Sequence, residues 1–383
     1  MPKYALQTVT TRKQQRAFMN LIWRLYKGDP NWIPPLRQDQ KELAGFYHHP
    51  FYEHNSIRTF IVTRDGLTVG RIGAIVNKGH NDRYNEQRGF FGFFDCEDDL
   101  QAASMLFEAA FDYLRSQGMT DVRGPCNPSL NYDIGCLIEG DDTPPTFGMT
   151  YNKPYYEKLI TNSGFAKTQD VYAYEGNASK LDSLDPKLYF VIDEVKRRFN
   201  ISLRKADTKK IAQEAALFID IYNRALVATW GFVPLTPGEA QHIAGGLKYV
   251  IDPDATTIID VDGKTVGFAL GLLDFNPIIK KIDGRLFPFG FLRLLFGRKN
   301  IKRVRLVSNN ILPEFQRWGL GIVAVEHMLP ALLARGITEC EFSWVLESNK
   351  LSRGTLESGG AERSKTYRLF DRSLAPKAAS NLV

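Results

Sequence analysis

The chain switches repeatedly between helical and strand-like patterning. Residues 12–27 read as a helix, and GDPNWIPPL (28–36) breaks it with Pro, Gly and Asn. TFIVTRDGLTVGRIGAIV (59–76) predicts a hairpin turning at Asp65-Gly66, followed by a strand at RGFFGFFDC (88–96). DLQAASMLFEAAFDYLRSQG (99–118) is amphipathic and ends on a glycine stop signal. A strand at DVRG (121–124), a Pro/Asn/Gly-rich loop to about residue 152, a helix at YYEKLITN and a strand at DVYAYE follow.

The polar run EGNASKLDSLDPK (175–187) reads as a linker and places domains at 1–177 and 178–383. Beyond it come a strand (ISLRKAD), helices through 210–249 and a second Asp-Gly hairpin at Asp262-Gly263. A basic insert, a strand at RVRLVS, a helix ending at Gly336, a strand at TECEFSWV and a last helix and strand complete the chain. LRSQGMTDV (114–122) resembles LLARGITEC (332–340), and SGFAKT (163–168) falls where SGGAER (358–363) does. These matches indicate a divergent duplication, with the loop 124–152 inserted in the first copy. The expected class is α/β (α+β), each half a mixed, mostly antiparallel sheet flanked by helices.

Composition narrows this reading. With 383 residues, 44% hydrophobic and 24% charged, the chain can bury a large core, which excludes disorder and a disulfide-built mini-domain. Cys96, Cys126, Cys136 and Cys340 form no CxxC, the N-terminus lacks an apolar signal segment, and no apolar run nears ~20 residues. A reducing cytoplasm is the expected compartment. The three histidines of HHPFYEH (48–54) lack carboxylate or Cys partners, and they read as surface imidazoles rather than a metal site.

The segment RVRLVSNNILPEFQRWGLGIVAVEHMLPALLARG (303–336) carries the chemistry. A strand leads through ILPEF to Gln316-Arg317-Trp318-Gly319-Leu320-Gly321 and straight into a helix. Glycines there let backbone N–H groups converge at the positive end of a helix, which suits a diphosphate. The spacing also fits the dinucleotide pattern GxGxxA. Against that, the glycines lie well past the strand, and only 62 residues remain after Gly321, too few to finish a doubly wound sheet.

ILPEFQRWGLG resembles motif A of the GCN5-related N-acetyltransferase (GNAT) superfamily, with Gln316, Gly319 and Gly321 at its fixed positions. The resemblance implies acyl-CoA, acetyl or longer-chain, as co-substrate and no metal. It also implies pyrophosphate on the amides of 316–321, pantetheine along Asn310, Ile311 and Leu312, and Asn349 completing the site. It covers 201–371 well and the first half only as a degenerate copy, where DCEDDLQAA (95–103) replaces the glycines with carboxylates that would repel a diphosphate. The whole chain resembles bacterial GNAT-like proteins related to ceramide synthase, a sphingoid-base N-acyltransferase.

Acylating an amine requires a base near the thioester. Glu347 is the first candidate, on the strand face shared with Asn349, and Asp133 in NPSLNYDIG is the second. The tyrosine that often protonates the leaving thiolate in this family is Leu356 here, which leaves Tyr367 or water.

The net charge of +6 has a local source. The insert 278–305 holds nine Lys/Arg and one Asp, so the rest of the chain sums to −2. Interleaved with Phe and Leu, it reads as an interfacial segment beside the donor site, meeting an anionic membrane surface on the inner face. The alternatives are a lid whose apolar face packs on the core and a dock for an acyl-carrier protein; no nucleic-acid module is present.

The expected activity is acyl-CoA-dependent N-acylation of a small-molecule or lipid-like amine, the first half shaping the acceptor site. A non-catalytic acyl-CoA-binding or membrane-associated module is the alternative, and an aminoacyl transferase using charged tRNA is the third class.

Overall fold

The computed structural model describes residues 1–183 and 186–375. Two compact units divide the chain. One comprises Met1–Pro144, Thr150–Asp170 and the residues from Tyr367 onward; the other comprises Pro145–Met149 and Val171–Thr366. The first contains β1 (Tyr4–Thr8), α1 (Arg12–Leu25), α2 (Arg37–Leu43), β2 (Ser56–Arg64), β3 (Leu67–Val76), α3 (Lys78–Tyr84), β4 (Arg88–Cys96) and α4 (Leu100–Ser116). It continues through β5 (Asp121–Gly124), β6 (Cys126–Asn127), β7 (Asp133–Ile134), β8 (Cys136–Glu139) and α5 (Tyr156–Asn162) into β9 (Ala166–Asn177).

The second contains α6 (Pro186–Arg198), β10 (Ile201–Arg204), α7 (Ile211–Ala225), α8 (Pro237–Val250), β11 (Thr256–Val261), β12 (Lys264–Leu273), α9 (Asn276–Lys281) and α10 (Gly290–Gly297). It ends with β13 (Arg303–Ile311), α11 (Leu320–Ala334), β14 (Glu339–Leu346), α12 (Lys350–Ser358) and β15 (Glu362–Ser373). Strands β9 and β15 each begin in one unit and finish in the other.

Each unit is a mixed sheet. In the first, β1 to β5 pair in chain order, antiparallel except for the parallel β4–β5 contact. In the second, β10 to β13 are antiparallel, β13–β14 is parallel, and β14 pairs antiparallel with the end of β9. The order β2-β3-β4-α4-β5-α5-β9 therefore recurs as β11-β12-β13-α11-β14-α12-β15. Both hairpins turn on an Asp-Gly pair with both residues at positive φ (Asp65 52°, Gly66 81°; Asp262 50°, Gly263 77°), the geometry that matches strand twist. The insertion expected at 124–152 lies between β5 and α5 and adds the short strands β6 to β8.

Helix α4 buries Leu106, Phe107 and Phe111 against Val69, Ile72 and Phe91, each worth roughly 1.5–3 kcal/mol. In the second unit Phe218 and Ile221 of α7 cover Ile258 and Phe268.

Two local expectations change. The segment 175–187 is largely ordered: β9 runs to Asn177 opposite Glu339, a 3-10 turn spans Ala178–Ser183, and α6 starts at Pro186. Residues 184–185 lie outside the described residues. Helix α6, hidden behind that polar run, is an addition to the repeat. Among the described residues, no helix is long and apolar enough to cross a membrane.

Candidate acyl-donor site

Strands β13 and β14 pair in parallel from Arg303/Glu339 to Leu306/Phe342 and then part. Beyond that vertex Ser308–Ile311 stay paired with β12, and Val307 is skipped where the register shifts between Leu270 and Gly271. Leu306 to Asn309 all retain solvent exposure, although β13 is a central strand. A sheet that opens this way presents backbone N–H and C=O groups to whatever enters, and a linear amide-containing chain can meet them. Asn310, Ile311 and Leu312, the residues expected to line such a chain, continue along this open arm, with their own side chains buried.

Eight residues, Leu312 to Gly319, connect β13 to α11. Gly319 caps the helix in the left-handed region (φ 79°) and no side chain caps it. The positive φ favours glycine at 319, and an added Cβ would press on Val195 of α6 at 3.1 Å. The amides of Leu320 and Gly321, in the first turn, have no intrahelical acceptor and point along the positive helix end. Gly321 lets Asn309 approach, and the Asn309 side chain donates to the Gly321 carbonyl at 3.1 Å.

The loop is braced from beneath. Trp318 stacks on Phe199 with ring centroids 4.0 Å apart and meets Phe315 edge-on. Gln316 donates to the carbonyls of Ile311 and Ala225, both at 3.1 Å. Its side chain thus shapes the loop, and of the residues expected to meet an anion Arg317 is exposed. Phe199 and Val195 escaped sequence reasoning, and an aromatic residue closing an amphipathic helix was the available signal.

The catalytic candidates fall in different settings. Glu347 lies in the turn after β14, so the alternating-face argument linking it to Asn349 does not apply; strand geometry ends at Leu346. Asn349 caps α12, its side-chain oxygen accepting from the Ser352 amide at 3.1 Å. Leu356 is packed with Tyr172, Tyr174, Val345 and Ala361, so position 356 offers no acid. Asp133 pairs with Asn127 in the small β6–β7 sheet of the first unit. Tyr367 belongs to the first unit and is fully buried, its Cβ 2.8 Å from where a Cβ on Gly135 would be. Burial pushes all four cysteine thiols far above their ordinary range, which removes them as nucleophiles at neutral pH.

A buried polar cluster at the vertex was not foreseen. Glu341 of β14 is fully buried and accepts from Thr146 (2.5 Å) and Ser343 (2.6 Å). Arg305, its register partner on β13, donates to Ser343 at 2.7 Å and to the carbonyls of Phe147 and Gly148. Asp274 accepts from the amides of Phe147 and Asn276, and burial pushes its carboxyl up to about 6. Together these groups fasten the segment 145–149 against the strands where they begin to part. Recognising them required the β13–β14 register, which one sequence does not supply.

In the first unit the corresponding junction is closed. Only Glu97, Asp98 and Asp99 separate β4 from α4. Asp99 caps the helix through the Ala102 amide (3.0 Å) and bonds Tyr4 and Arg64; Glu97 pairs with Arg24 and Arg64. Asp95 is buried against Arg71 at 2.7 Å. Beyond the parallel pair Phe90/Arg123 the gap is filled by β6: Asn127 accepts from the Phe93 amide at 2.6 Å, and a Cβ on Gly92 would overlap the Cys126 carbonyl.

Two other expectations are corrected. His49 is buried and its Nδ1 accepts from the Phe51 amide, so the histidine run is not wholly a surface loop. The basic insert joins the Arg303 end of β13, ~26 Å along the strand from the end that leads to the loop 312–319, so it is not attached beside the loop expected to hold the donor.

No protein-family profile matches the chain. Protein YghO of Escherichia coli K12 is 32% identical over 375 residues, covering 96% of this chain and 95% of its own length. Bacterial ceramide synthase of Caulobacter vibrioides is 33% identical over 376 residues, 96% of each chain. A tandem GNAT protein from the clavulanic acid biosynthesis pathway superposes with a TM-score of 0.58 over 98% of this chain and 100% of its own, at 11% identity. Similarity of this extent, on a fold built twice in this order, makes the chain a member of the tandem GNAT-fold family that includes protein YghO and bacterial ceramide synthase.

Proposed function

We propose that the chain is an acyl-CoA-dependent N-acyltransferase with an amine acceptor of lipid-like character. The observation that carries this reading is the open splay of β13 and β14 leading to an uncapped, glycine-led helix start. That pairing suits a donor with an amide-containing arm and a diphosphate. The acyl-transfer class follows the family, and the lipid-like acceptor rests on the named activity of the relative that is 33% identical.

In this reaction the amine nitrogen attacks the thioester carbonyl, the C–N bond forms, the C–S bond breaks and CoA leaves as thiol. A base takes the ammonium proton beforehand. Glu347, in the turn where β14 ends, is the proposed base, with Asp133 the second choice. Because Leu356 has no ionisable proton and Tyr367 is fully buried, water protonates the leaving thiolate. Pyrophosphate fixed at 316–321 supplies the positioning that turns a bimolecular encounter into an oriented one.

The test is thiol release from acetyl- and long-chain acyl-CoA with sphingoid bases and simple amines. Amine-dependent release, strongest for a long-chain amine, is expected. Leu356 also favours a second reading, a non-catalytic acyl-CoA-binding module. Tight CoA binding with no acylation of any amine would establish that reading instead.

A further inference from the structure

We propose that the segment spanning α9 and α10 is an interfacial anchor that seats the protein on an anionic lipid bilayer. This goes beyond the acyl-transfer reading and stands on separate observations.

The segment is built inside out. Its inner side is small and already filled: Ile279 and Ile282 are buried, a Cβ on Gly290 would lie 1.9 Å from the Arg285 carbonyl, and one on Gly297 would lie 2.7 Å from Ile278. The large apolar side chains point outward. Phe287 is 79% exposed, Phe289 71%, Leu295 60% and Phe296 76%. A lid packing its apolar face on the core would bury these residues, so the lid reading fails. So dense an exposed apolar group within ten residues is uncommon on a surface that meets only water.

The charges select the occupant. Of the nine cations in 278–305, Arg298, Arg303 and Arg305 are committed to Asp252, to Glu339 and Glu175, and to the vertex cluster. Lys280, Lys281, Arg285, Arg293, Lys299 and Lys302 are exposed, and Asp283 is the single acid in 278–305. Exposed aromatic and aliphatic tips interleaved along the chain with exposed Lys and Arg match the acyl boundary and phosphate layer of an anionic membrane. An acidic carrier protein would answer the cations and leave the phenylalanines in water.

The position gives the anchor a use. It is attached at the Arg303 end of β13, ~26 Å from the end that leads to the diphosphate loop. A water-soluble donor and a bilayer-borne acceptor would then approach the strand from its two ends.

The experiment is flotation of the full-length protein with vesicles of phosphatidylcholine alone or mixed with phosphatidylglycerol. The expected result is binding to the anionic vesicles that weakens with salt. The double variants Phe287→Ser/Phe296→Ser and Lys299→Gln/Lys302→Gln should each lose tenfold or more in vesicle affinity. Because every substituted side chain is exposed, thermal unfolding and CoA affinity should be unchanged. Leu67→Ser, an exposed apolar site in the first unit, should bind as the parent does. Three results would overturn the proposal: no flotation, equal flotation on phosphatidylcholine alone, or unchanged binding by both double variants. Capture by purified acyl-carrier protein without flotation would assign the surface to that partner.

Discussion

The molecule builds one strand-to-helix junction twice and uses it in opposite ways. Between β13 and α11, eight residues swing wide, glycine caps the helix without a side chain, and the adjoining strands stay open. Between β4 and α4 the turn is short, Asp99 satisfies the helix start, and β6 fills the gap. A helix N-terminus is an anion site only while its N–H groups lack an internal partner. Asp99 supplies that partner, while Arg24, Arg64 and Arg71 pair with Glu97, Asp99 and Asp95. The first junction is closed by its own side chains, whereas the helix start of the second has no side-chain cap.

The comparison can be broken at several points. The largest effect should come from Asp95→Ala, which strands Arg71 in the core; a loss of about 3–5 kcal/mol in denaturant unfolding is expected, with CoA affinity per folded molecule unchanged. Gly319→Asp copies the Asp99 cap into the second junction. It adds negative charge, a strained φ and a tight contact with Val195, and calorimetry should show CoA affinity falling by about 100-fold, a change near 3 kcal/mol. Trp318→Ala removes the stack on Phe199 and should raise the KM for acyl-CoA by about tenfold, with a smaller change in kcat. Asp99→Ala should cost about 1 kcal/mol of stability without creating CoA binding at the first junction.

Acid should distinguish the junctions as well. Burial raises the Asp99 carboxyl, but the Ala102 amide, Tyr4 and Arg64 outweigh it and hold the group below its ordinary value. The stability it contributes is present above the unfolded pKa near 3.9 and is lost as pH falls through the lower folded value. The Gly319 cap has no group to titrate. Hydrogen exchange at low pH should therefore report fraying at the start of α4 before that of α11.

Much of the second junction was legible because its chemistry is local. ILPEFQRWGLG states a loop, two glycines and a helix start in consecutive residues, and the two Asp-Gly turns are equally local. What could not be read depended on distant partners. The acidic run 95–99 signalled repulsion of a diphosphate, but its counterions come from residues 24, 64 and 71. Glu341 and Arg305 meet only through strand register, and the filling of the first gap by β6 depends on a loop with no strong pattern. The apolar insert gave its composition but not its direction. Periodicity cannot say whether Phe287 and Phe296 face the core or the solvent.

The central claim is that the donor's diphosphate occupies the β13–α11 junction and no other. Amide hydrogen exchange of the full-length protein with and without saturating CoA tests it directly. The account predicts slowed exchange at residues 316–323 and along Val307–Ile311, with residues 96–103 unchanged. Protection at the β4–α4 junction, or CoA binding that leaves 316–323 unprotected, would contradict it.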